Sequence, residues 1–404
     1  MQYFRLLKAY PGFLMFGFIA TFASSFGQTF FISLFVNDIV SANQLSYGDF
    51  GSLYAITTAV GGVFLMRLGR RLDVVPLKYF VHFVVLGLAA SAAVMALSMQ
   101  LSSWLLLILA LFGLRLFGQG LMGHMAVTSM GRYFDELRGR AVAFSGIGFP
   151  AGEILLPSLV LLLLAYLGYI NTWWVITAAI LVMLWPCLVT LHSRHPVVSV
   201  AEDQESAAQP LPLLRQRDLI RDRRFLGVLP AMLALPFVMT GILINQTWFA
   251  DQNGWSAAVI AGGIALFSVS RVITSIAAGS LVDKVGSFKL IGVNVLPVAI
   301  GLVFLSFIDA GWGWFVFMAL SGLSAGFNSA ISGTLWPELF GIRSLATVRA
   351  LYHALMIFST ALAPLIYGYL IDFELARSIW LMSTALFLAL AWLLARLSLI
   401  RSKQ

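Results

Sequence analysis

The chain has 404 residues, of which 60% are hydrophobic and 10% are charged, and its net charge is +8. A soluble domain of this composition could not hide so much apolar surface from water, so a soluble globular protein is excluded. The single cysteine, Cys187, also excludes an intrachain disulfide. The composition predicts a membrane protein.

Six apolar runs of spanning length precede a polar stretch, and six follow it. The first six lie near residues 13–36, 47–68, 77–99, 103–130, 141–167 and 171–192. The second six lie near 226–250, 257–282, 288–308, 312–336, 346–371 and 376–398. About 20 apolar residues cross a bilayer core as a helix. We therefore predict an all-α integral membrane protein with twelve transmembrane helices, numbered here as spans 1 to 12, in two six-helix bundles (1–192 and 225–404) joined by a linker at 193–224.

The basic residues predict the orientation of the chain. Of the 25 lysines and arginines, 22 fall on one side of the membrane and only Arg377 falls on the other. The remaining two, Arg115 and Arg271, lie within spans. By the positive-inside rule, both termini and the linker are cytoplasmic. We expect a multi-pass protein of a bacterial inner (plasma) membrane. The basic excess is then a consequence of topology, so the expected partner is the lipid bilayer and nucleic acid is not expected.

The two halves repeat one another in sequence. Three features recur in the same order: Gly27–Phe31 (GQTFF) with Asn245–Phe249 (NQTWF), a glycine–aspartate turn at Gly69/Asp73 and Gly279/Asp283, and an Arg-Ala pair at Arg140 and Arg349. Parallel repeats of this kind are typical of transporters built around a central axis.

Arg271 lies near the middle of span 8, about 12 residues or roughly 18 Å from Asp283. A guanidinium at this depth cannot lose its proton and must face protein, water or an anion. Small neighbours on its face leave room for an anion, so Arg271 is a predicted substrate-binding residue. The alternative is an arginine that only locks helices together through backbone carbonyls.

These motifs resemble the major facilitator superfamily over essentially the whole chain. The resemblance rests on the two glycine–aspartate loops, on Arg115-x-x-Gly118-Gln-Gly120 in span 4, and on the glycine-rich Gly146–Gly152 (GIGFPAG) in span 5. It implies two bundles that rock about a midplane site lined largely by spans 1, 4, 7 and 10. The first loop departs from the family pattern, with Val74 and Pro76 in place of a basic residue and a glycine. The arginine in span 8 resembles that of the organic-anion carriers, including monocarboxylate and oxalate-type branches.

Arg115 and Glu153 fall at similar predicted depths in neighbouring spans, within roughly 10 Å. Three interpretations remain open. The two could form a structural ion pair, Arg115 could be a second anion clamp, or Glu153 could be the proton-coupling acid, with its pKa raised by burial and lowered by Arg115.

Polar side chains in presumed lining helices are further candidates for substrate binding, with helix packing as the alternative. The set comprises Gln28, Thr29, Asn245, Gln246, Tyr54, Asn328, Trp336, Tyr352 and His353. His82 and His124 are interpreted as packing or interfacial residues. The histidines lie on different helices without ligand spacing, so no metal site is predicted.

Asp73, Asp283, Arg140 and Arg349 have a predicted gating role. Each aspartate can cap and pair with a helix N-terminus in the opposite half and close the cytoplasmic side. The alternative is a solvated loop charge.

The sequence favours a secondary active transporter that imports a small organic anion, a carboxylate, as a symporter with protons. The absence of a phosphate-binding glycine loop from the sequence argues against ATP-driven pumping, and no cofactor or enzymatic activity is expected. The chain is expected to act as a monomer. Proton-driven efflux of drugs or metabolites is the alternative, although Phe149-Pro150 stands where such exporters carry Gly-Pro. A membrane scaffold without transport would leave both intramembrane arginines without a purpose.

Overall fold

The structure, a computed structural model, describes residues 9–134, 138–193, 216–341 and 345–401. By internal contacts the chain divides into two compact units, Met1–Asp203 and Gln204–Gln404. Most of the predicted linker, residues 194–215, lies outside the described residues, as does the side chain of Asp73. Each unit consists of helices packed against one another.

The first unit begins with a broken span. Span 1 consists of Pro11–Gly27 and Thr29–Asn43, which are bent by 49° at the break. Span 2 is Tyr47–Gly69 and span 3 is Leu77–Gln100. Span 4 is one continuous helical stretch with a π-helical middle, composed of Trp104–Gly113, Leu114–Met122 and Gly123–Tyr133. Arg138–Gly146 and Gly148–Ala179 carry the chain through span 5 into span 6, which continues as Ile180–Leu184 and Trp185–His192.

In the second unit a short helix, Gln216–Leu219, precedes the membrane-spanning helices. Span 7 is Arg223–Ile244, followed directly by Gln246–Asn253. The other helices of this unit are Ala257–Val285 (span 8), Ser287–Phe307 (span 9), Gly311–Phe340 (span 10), Leu345–Asp372 (span 11) and Arg377–Arg401 (span 12).

Twelve spans follow from these helices within the described parts of the chain. Ten segments are long and apolar enough to cross a membrane, and the bent pair of span 1 makes eleven. One segment, Arg140–His192, has 53 residues and would be about 80 Å long as one helix, far more than a bilayer core of about 30 Å. It is broken at Gly168, where φ is +69°. Only glycine adopts this conformation readily, so the segment supplies spans 5 and 6 and the predicted all-α, twelve-span fold is confirmed.

Glycines of span 5 let it pack directly against span 1. A Cβ atom on Gly148 would lie 2.7 Å from the Phe22 backbone nitrogen, and one on Gly152 would lie 3.0 Å from the Ser25 Cβ. The Thr21 hydroxyl also donates to the Ser145 carbonyl between the same two helices. Small residues four apart allow two membrane helices to approach closely. This contact holds span 5 against span 1 just before the break in span 1.

The glycine contact gives a stability prediction. We expect Gly148→Ala to lower the free energy of unfolding by about 1–3 kcal/mol, because the new methyl group would meet backbone that cannot rotate away. Gly146→Ala is the matched control, since nothing lies within 4 Å of a Cβ at that helical glycine. Thermal unfolding of both purified variants in detergent measures the difference. Equal melting temperatures would contradict the close packing of spans 1 and 5.

Arg377 ties three connections of the second unit together at one end. This arginine begins span 12 and is the basic residue that the sequence placed apart from the other loop cations. Its guanidinium donates to the Asn253 Oδ1 at 2.6 Å and forms an ion pair with Asp309. Asn253 ends the helix after span 7, and Asp309 lies between spans 9 and 10. The position of Arg377 therefore has a structural explanation.

Candidate substrate site

The break in span 1 is the first element of the candidate site. After Ala23 the helix tightens into a 3₁₀ turn, Ser24–Gly27, and Gln28 is extended, with φ −79° and ψ 154°. Helix resumes at Thr29. Breaks inside membrane helices release backbone groups from helical bonding, and such breaks are tolerated where protein or a cavity supplies new partners.

Span 4 packs against this break at the backbone level. A Cβ on Gly27 would lie 2.9 Å from the Gly118 Cα, and a Cβ on Gly118 would lie 2.7 Å from the Gly27 nitrogen. Neither position has space for a side chain. The Arg115-x-x-Gly118 spacing therefore places Arg115 one turn from the point where the two helices touch.

Arg115 lies in the π-helical middle of span 4, and only 6% of it is exposed. Its Nε donates to the Thr58 hydroxyl at 3.1 Å, and its Nη1 donates to the Gly27 carbonyl at 3.2 Å. The guanidinium also lies 5.0 Å from the centre of the Tyr54 ring. Arg115 thus joins spans 1, 2 and 4 at the broken helix. π-Helical turns of this kind occur frequently at functional sites.

The charge of Arg115 has no carboxylate partner among the described residues. Its contacts there are a hydroxyl, a carbonyl and an aromatic ring. An ion pair with Glu153, one of the three interpretations left open by the sequence, is therefore not among its contacts. Glu153 is half-buried on span 5 and follows Gly152, which contacts span 1. Neutral acceptors satisfy two of the five N–H donors of a guanidinium but do not balance its charge, so the arrangement suits an anion.

Tyr54 and Thr29 extend the set of polar contacts around Arg115. The Tyr54 side chain is fully buried, and its hydroxyl lies 2.9 Å from the Thr29 hydroxyl. Gln28 is half-buried at the break itself. The structure therefore brings four of the predicted binding residues together in the first unit: Gln28, Thr29, Tyr54 and Arg115. We call these four residues, with Thr58 and the Gly27 carbonyl, the Arg115 cluster.

The second unit has its own interruption at the repeated motif. Asn245 leaves helical geometry, with φ −103° and ψ 14°, and a new helix begins at Gln246. Both side chains are buried, and the Asn245 amide donates to the Gly241 carbonyl at 2.8 Å. The matching sequences in spans 1 and 7 therefore mark a helix interruption in each unit.

Arg271 is half-buried on span 8, where its guanidinium lies 5.4 Å from the centre of the Phe267 ring. Span 10 supports this helix closely. A Cβ on Gly326 would lie 2.9 Å from the Arg271 carbonyl, and one on Gly322 would lie 2.7 Å from the Ser270 Cβ. The backbone of Arg271 is therefore held by packing while part of its side chain is exposed.

The other candidates of the second unit fall into two environments. Trp336 is fully buried and its ring centre lies 5.2 Å from that of Tyr352. Tyr352 is 3% exposed and donates to the Met232 carbonyl at 3.3 Å, so this pair packs inside the unit. Asn328 is half-buried and His353 is exposed, so neither side chain is fully enclosed by packing.

The predicted gating residues lie at helix ends or turns. Asp283 is exposed near the end of span 8, and the turn that follows uses Gly286 with φ +84°. Arg140 is half-buried, and Arg349 is exposed and donates to the Gly333 carbonyl at 3.2 Å. Asp73 ends the short 3₁₀ turn after span 2. Gating by these residues stays a prediction.

Both histidines singled out in the first unit have local partners. The Trp185 indole donates to His82 Nδ1 at 2.8 Å, and His124 Nε2 lies 3.3 Å from the Gly69 carbonyl. Among the described residues no cluster of three or more histidine, cysteine or acidic side chains could hold a metal ion.

Sequence reasoning missed two partners of Arg115. Thr58 lies in an apolar span where a single threonine carries no pattern. The other partner is the carbonyl of Gly27, a backbone group whose role as an acceptor cannot be inferred from the residue type. The adjacent GQT sequence and its repeat were the available signals.

Two helical units, each with an interrupted first helix and an arginine within a span, are features typical of membrane transporters. The Major Facilitator Superfamily model matches residues 14–352, and the chain belongs to this superfamily. It is therefore a multi-pass membrane transporter.

Solved structures support the same fold. A bacterial homologue of the human lysosomal transporter Spinster, in an inward-facing and unoccupied conformation, is 14% identical, with a TM-score of 0.69 over 97% of both chains. The nucleoside transporter NupG is 12% identical, with a TM-score of 0.71 over 97% of this chain and 99% of that one. No curated protein matches the sequence.

Proposed function

We propose that this transporter carries a small organic anion, a carboxylate, together with protons. The observation that carries the proposal is Arg115, a buried guanidinium whose contacts among the described residues are all neutral. A buried charge without a partner is costly. A bound carboxylate would remove this cost, and the fork of N–H donors would orient it.

Arg271 is proposed as a second anion-binding residue. It lies within span 8, and its helix is fixed against span 10 by Gly322 and Gly326. A guanidinium on a rigid helix is pre-organised for a planar carboxylate. Gln28, Thr29, Tyr54, Asn245, Gln246, Asn328 and His353 are proposed as neutral contacts, and Trp336 and Tyr352 as packing that supports them.

Glu153 is proposed as the proton-coupling acid. It is half-buried within a span and is separate from the contacts of Arg115. An anion imported against an inside-negative potential needs a compensating cation, and a proton on a carboxyl group supplies one. The contact of Gly152 with span 1 places Glu153 on a helix that packs near the broken segment.

A ligand screen tests the proposal. Small carboxylates and their uncharged amides would be added to the purified protein at two pH values, and the melting temperature recorded. We expect at least one carboxylate to raise the melting temperature while its amide does not, because only the anion compensates Arg115. A nucleoside is included as a neutral ligand, since one protein of similar fold is a nucleoside transporter. Stabilisation by the amide or the nucleoside alone would contradict anion transport.

The gating proposal predicts that Asp283→Asn slows transport while the fold is kept. An exposed aspartate that pairs with a helix N-terminus contributes about 0.3–1 kcal/mol, which corresponds to a loss of roughly two- to fivefold. Uptake into proteoliposomes measures the effect. Glu374→Gln is the control, because it removes an exposed acid from the connection between spans 11 and 12. Unchanged uptake in Asp73→Asn, Asp283→Asn and the double variant would rule out gating by these residues.

A further inference from the structure

A groove of about 670 Å³ lies between spans 9, 10 and 12 of the second unit. Most of its lining is apolar and includes Leu296, Ile300 and Leu323. Ile300 is 50% exposed, so the groove opens at the surface of the unit. Among the described residues that line the groove, only Lys289 and Arg396 are charged, and both are basic.

The two cations lie at the same end of the groove. Lys289 is in the first turn of span 9, which begins at Ser287, and Arg396 is near the end of span 12 at Arg401. Both side chains are exposed, and neither forms an ion pair with a carboxylate among the described residues. One end of an otherwise apolar groove is therefore positive.

Trp392 packs between Arg396 and span 9 at the basic end of the groove. The Arg396 guanidinium lies 5.9 Å from the centre of the Trp392 ring, one helical turn away. A Cβ on Gly292 would lie 2.8 Å from the Trp392 Nε1, so glycine at this position admits the indole against span 9. Tryptophan and arginine together are typical of the level where lipid headgroups meet the hydrocarbon core.

The length of the groove matches one leaflet of a bilayer. Lys289 and Ile300 are eleven residues apart on one helix, which is about 16 Å. Half of a bilayer core is about 15 Å. An acyl chain whose headgroup lies between Lys289 and Arg396 would thus follow the apolar walls to mid-membrane depth.

We propose that this groove binds an anionic glycerophospholipid, with its phosphate between Lys289 and Arg396 and an acyl chain along Leu296 and Ile300. Charge complementarity selects this occupant over a zwitterionic lipid. A second groove of about 720 Å³ lies in the same unit between spans 7, 11 and 12, and none of the described residues that line it is charged. That groove is expected to take acyl chains without regard to headgroup charge. The proposal does not depend on the identity of the transported substrate.

Native mass spectrometry of the full-length protein in detergent tests the site. Phosphatidylglycerol and phosphatidylethanolamine with identical acyl chains would be titrated separately. Each cation near an anionic headgroup contributes about 1 kcal/mol, so Lys289→Gln/Arg396→Gln should weaken phosphatidylglycerol binding about 30-fold. Binding of phosphatidylethanolamine should change little, because it does not depend on the two charges.

Two controls separate this site from general attraction. Arg221→Gln/Lys284→Gln removes two exposed basic residues of the same unit that do not line the groove, and should leave phosphatidylglycerol binding unchanged. Ile300→Trp should fill the groove and weaken binding of the long-chain lipid, while free glycerol phosphate should not bind detectably. Equal losses in the two double variants, or no loss in Lys289→Gln/Arg396→Gln, would overturn the proposal.

Discussion

Arg115→Ala is expected to abolish carboxylate transport, and Arg115→Lys to weaken carboxylate binding roughly 10- to 100-fold. A charge-assisted hydrogen bond contributes about 1.5–3 kcal/mol, and lysine keeps the charge but loses the planar fork. Its ammonium could not reach Thr58, Gly27 and a ligand in the arrangement that arginine adopts. Uptake into proteoliposomes and binding of the best carboxylate from the ligand screen measure the two effects.

Thr58→Val separates a positioning effect from a loss of charge. Valine keeps the shape of threonine but removes the hydroxyl that accepts from Arg115 Nε at 3.1 Å. We expect this variant to bind more weakly than wild type but more tightly than Arg115→Ala. Arg132→Lys is the folding control. Arg132 lies at the end of span 4, the span that contains Arg115, and donates to the Leu72 carbonyl. If Arg115→Ala remains folded and transports at the wild-type rate, the Arg115 cluster is not the anion site.

Hydropathy predicts the fold because a chain inside a membrane can adopt few backbone structures. Every backbone group inside the bilayer must be bonded internally, so each apolar run of sufficient length becomes a helix. Even the connection between spans 5 and 6 falls where predicted, since Gly168 adopts the positive φ that breaks the helix. The glycine-rich sequence of span 5 likewise has a direct meaning as a close helix contact.

An ion pair between Arg115 and Glu153 was one of three interpretations of the sequence, and it is not among the contacts of Arg115. The sequence alone could not decide between them for a geometrical reason. Counting residues fixes depth along a helix but not the direction in which a side chain points. Span 4 is π-helical over Leu114–Met122, and each π turn contains an extra residue. One residue corresponds to about 100° of rotation on an α-helix. The sequence shows no sign of this local change, so the neutral partners of Arg115 could not be predicted.

The sequence shows that GQTFF and NQTWF correspond to each other, but it does not show which structure they form. Both mark a helix interruption, at Gln28 in span 1 and at Asn245 in span 7. The first depends on a backbone contact between Gly27 and Gly118 from different spans. Such tertiary contacts have no local sequence signature beyond the glycines themselves.

Arg271 provides the second large expected effect. Arg271→Ala should eliminate transport, because an anion that leaves water for a site of low dielectric needs a fixed positive charge. Arg271→Lys should keep the fold and bind about 10- to 100-fold more weakly. The helix itself should be largely undisturbed, since the Arg271 carbonyl and Ser270 contact span 10 and both remain in these variants.

Comparison of the two lysine variants shows whether both arginines hold the substrate. Arg115 is not held by a carboxylate within the described residues, so its lysine variant should lose about as much affinity as Arg271→Lys. If both contact the same anion, the double lysine variant should lose less than the sum of the single losses, because groups that share a ligand are coupled. Loss in Arg115→Lys alone would indicate a one-arginine site in the first unit. Wild-type binding and uptake in both alanine variants would exclude anion recognition by these residues and favour the efflux alternative.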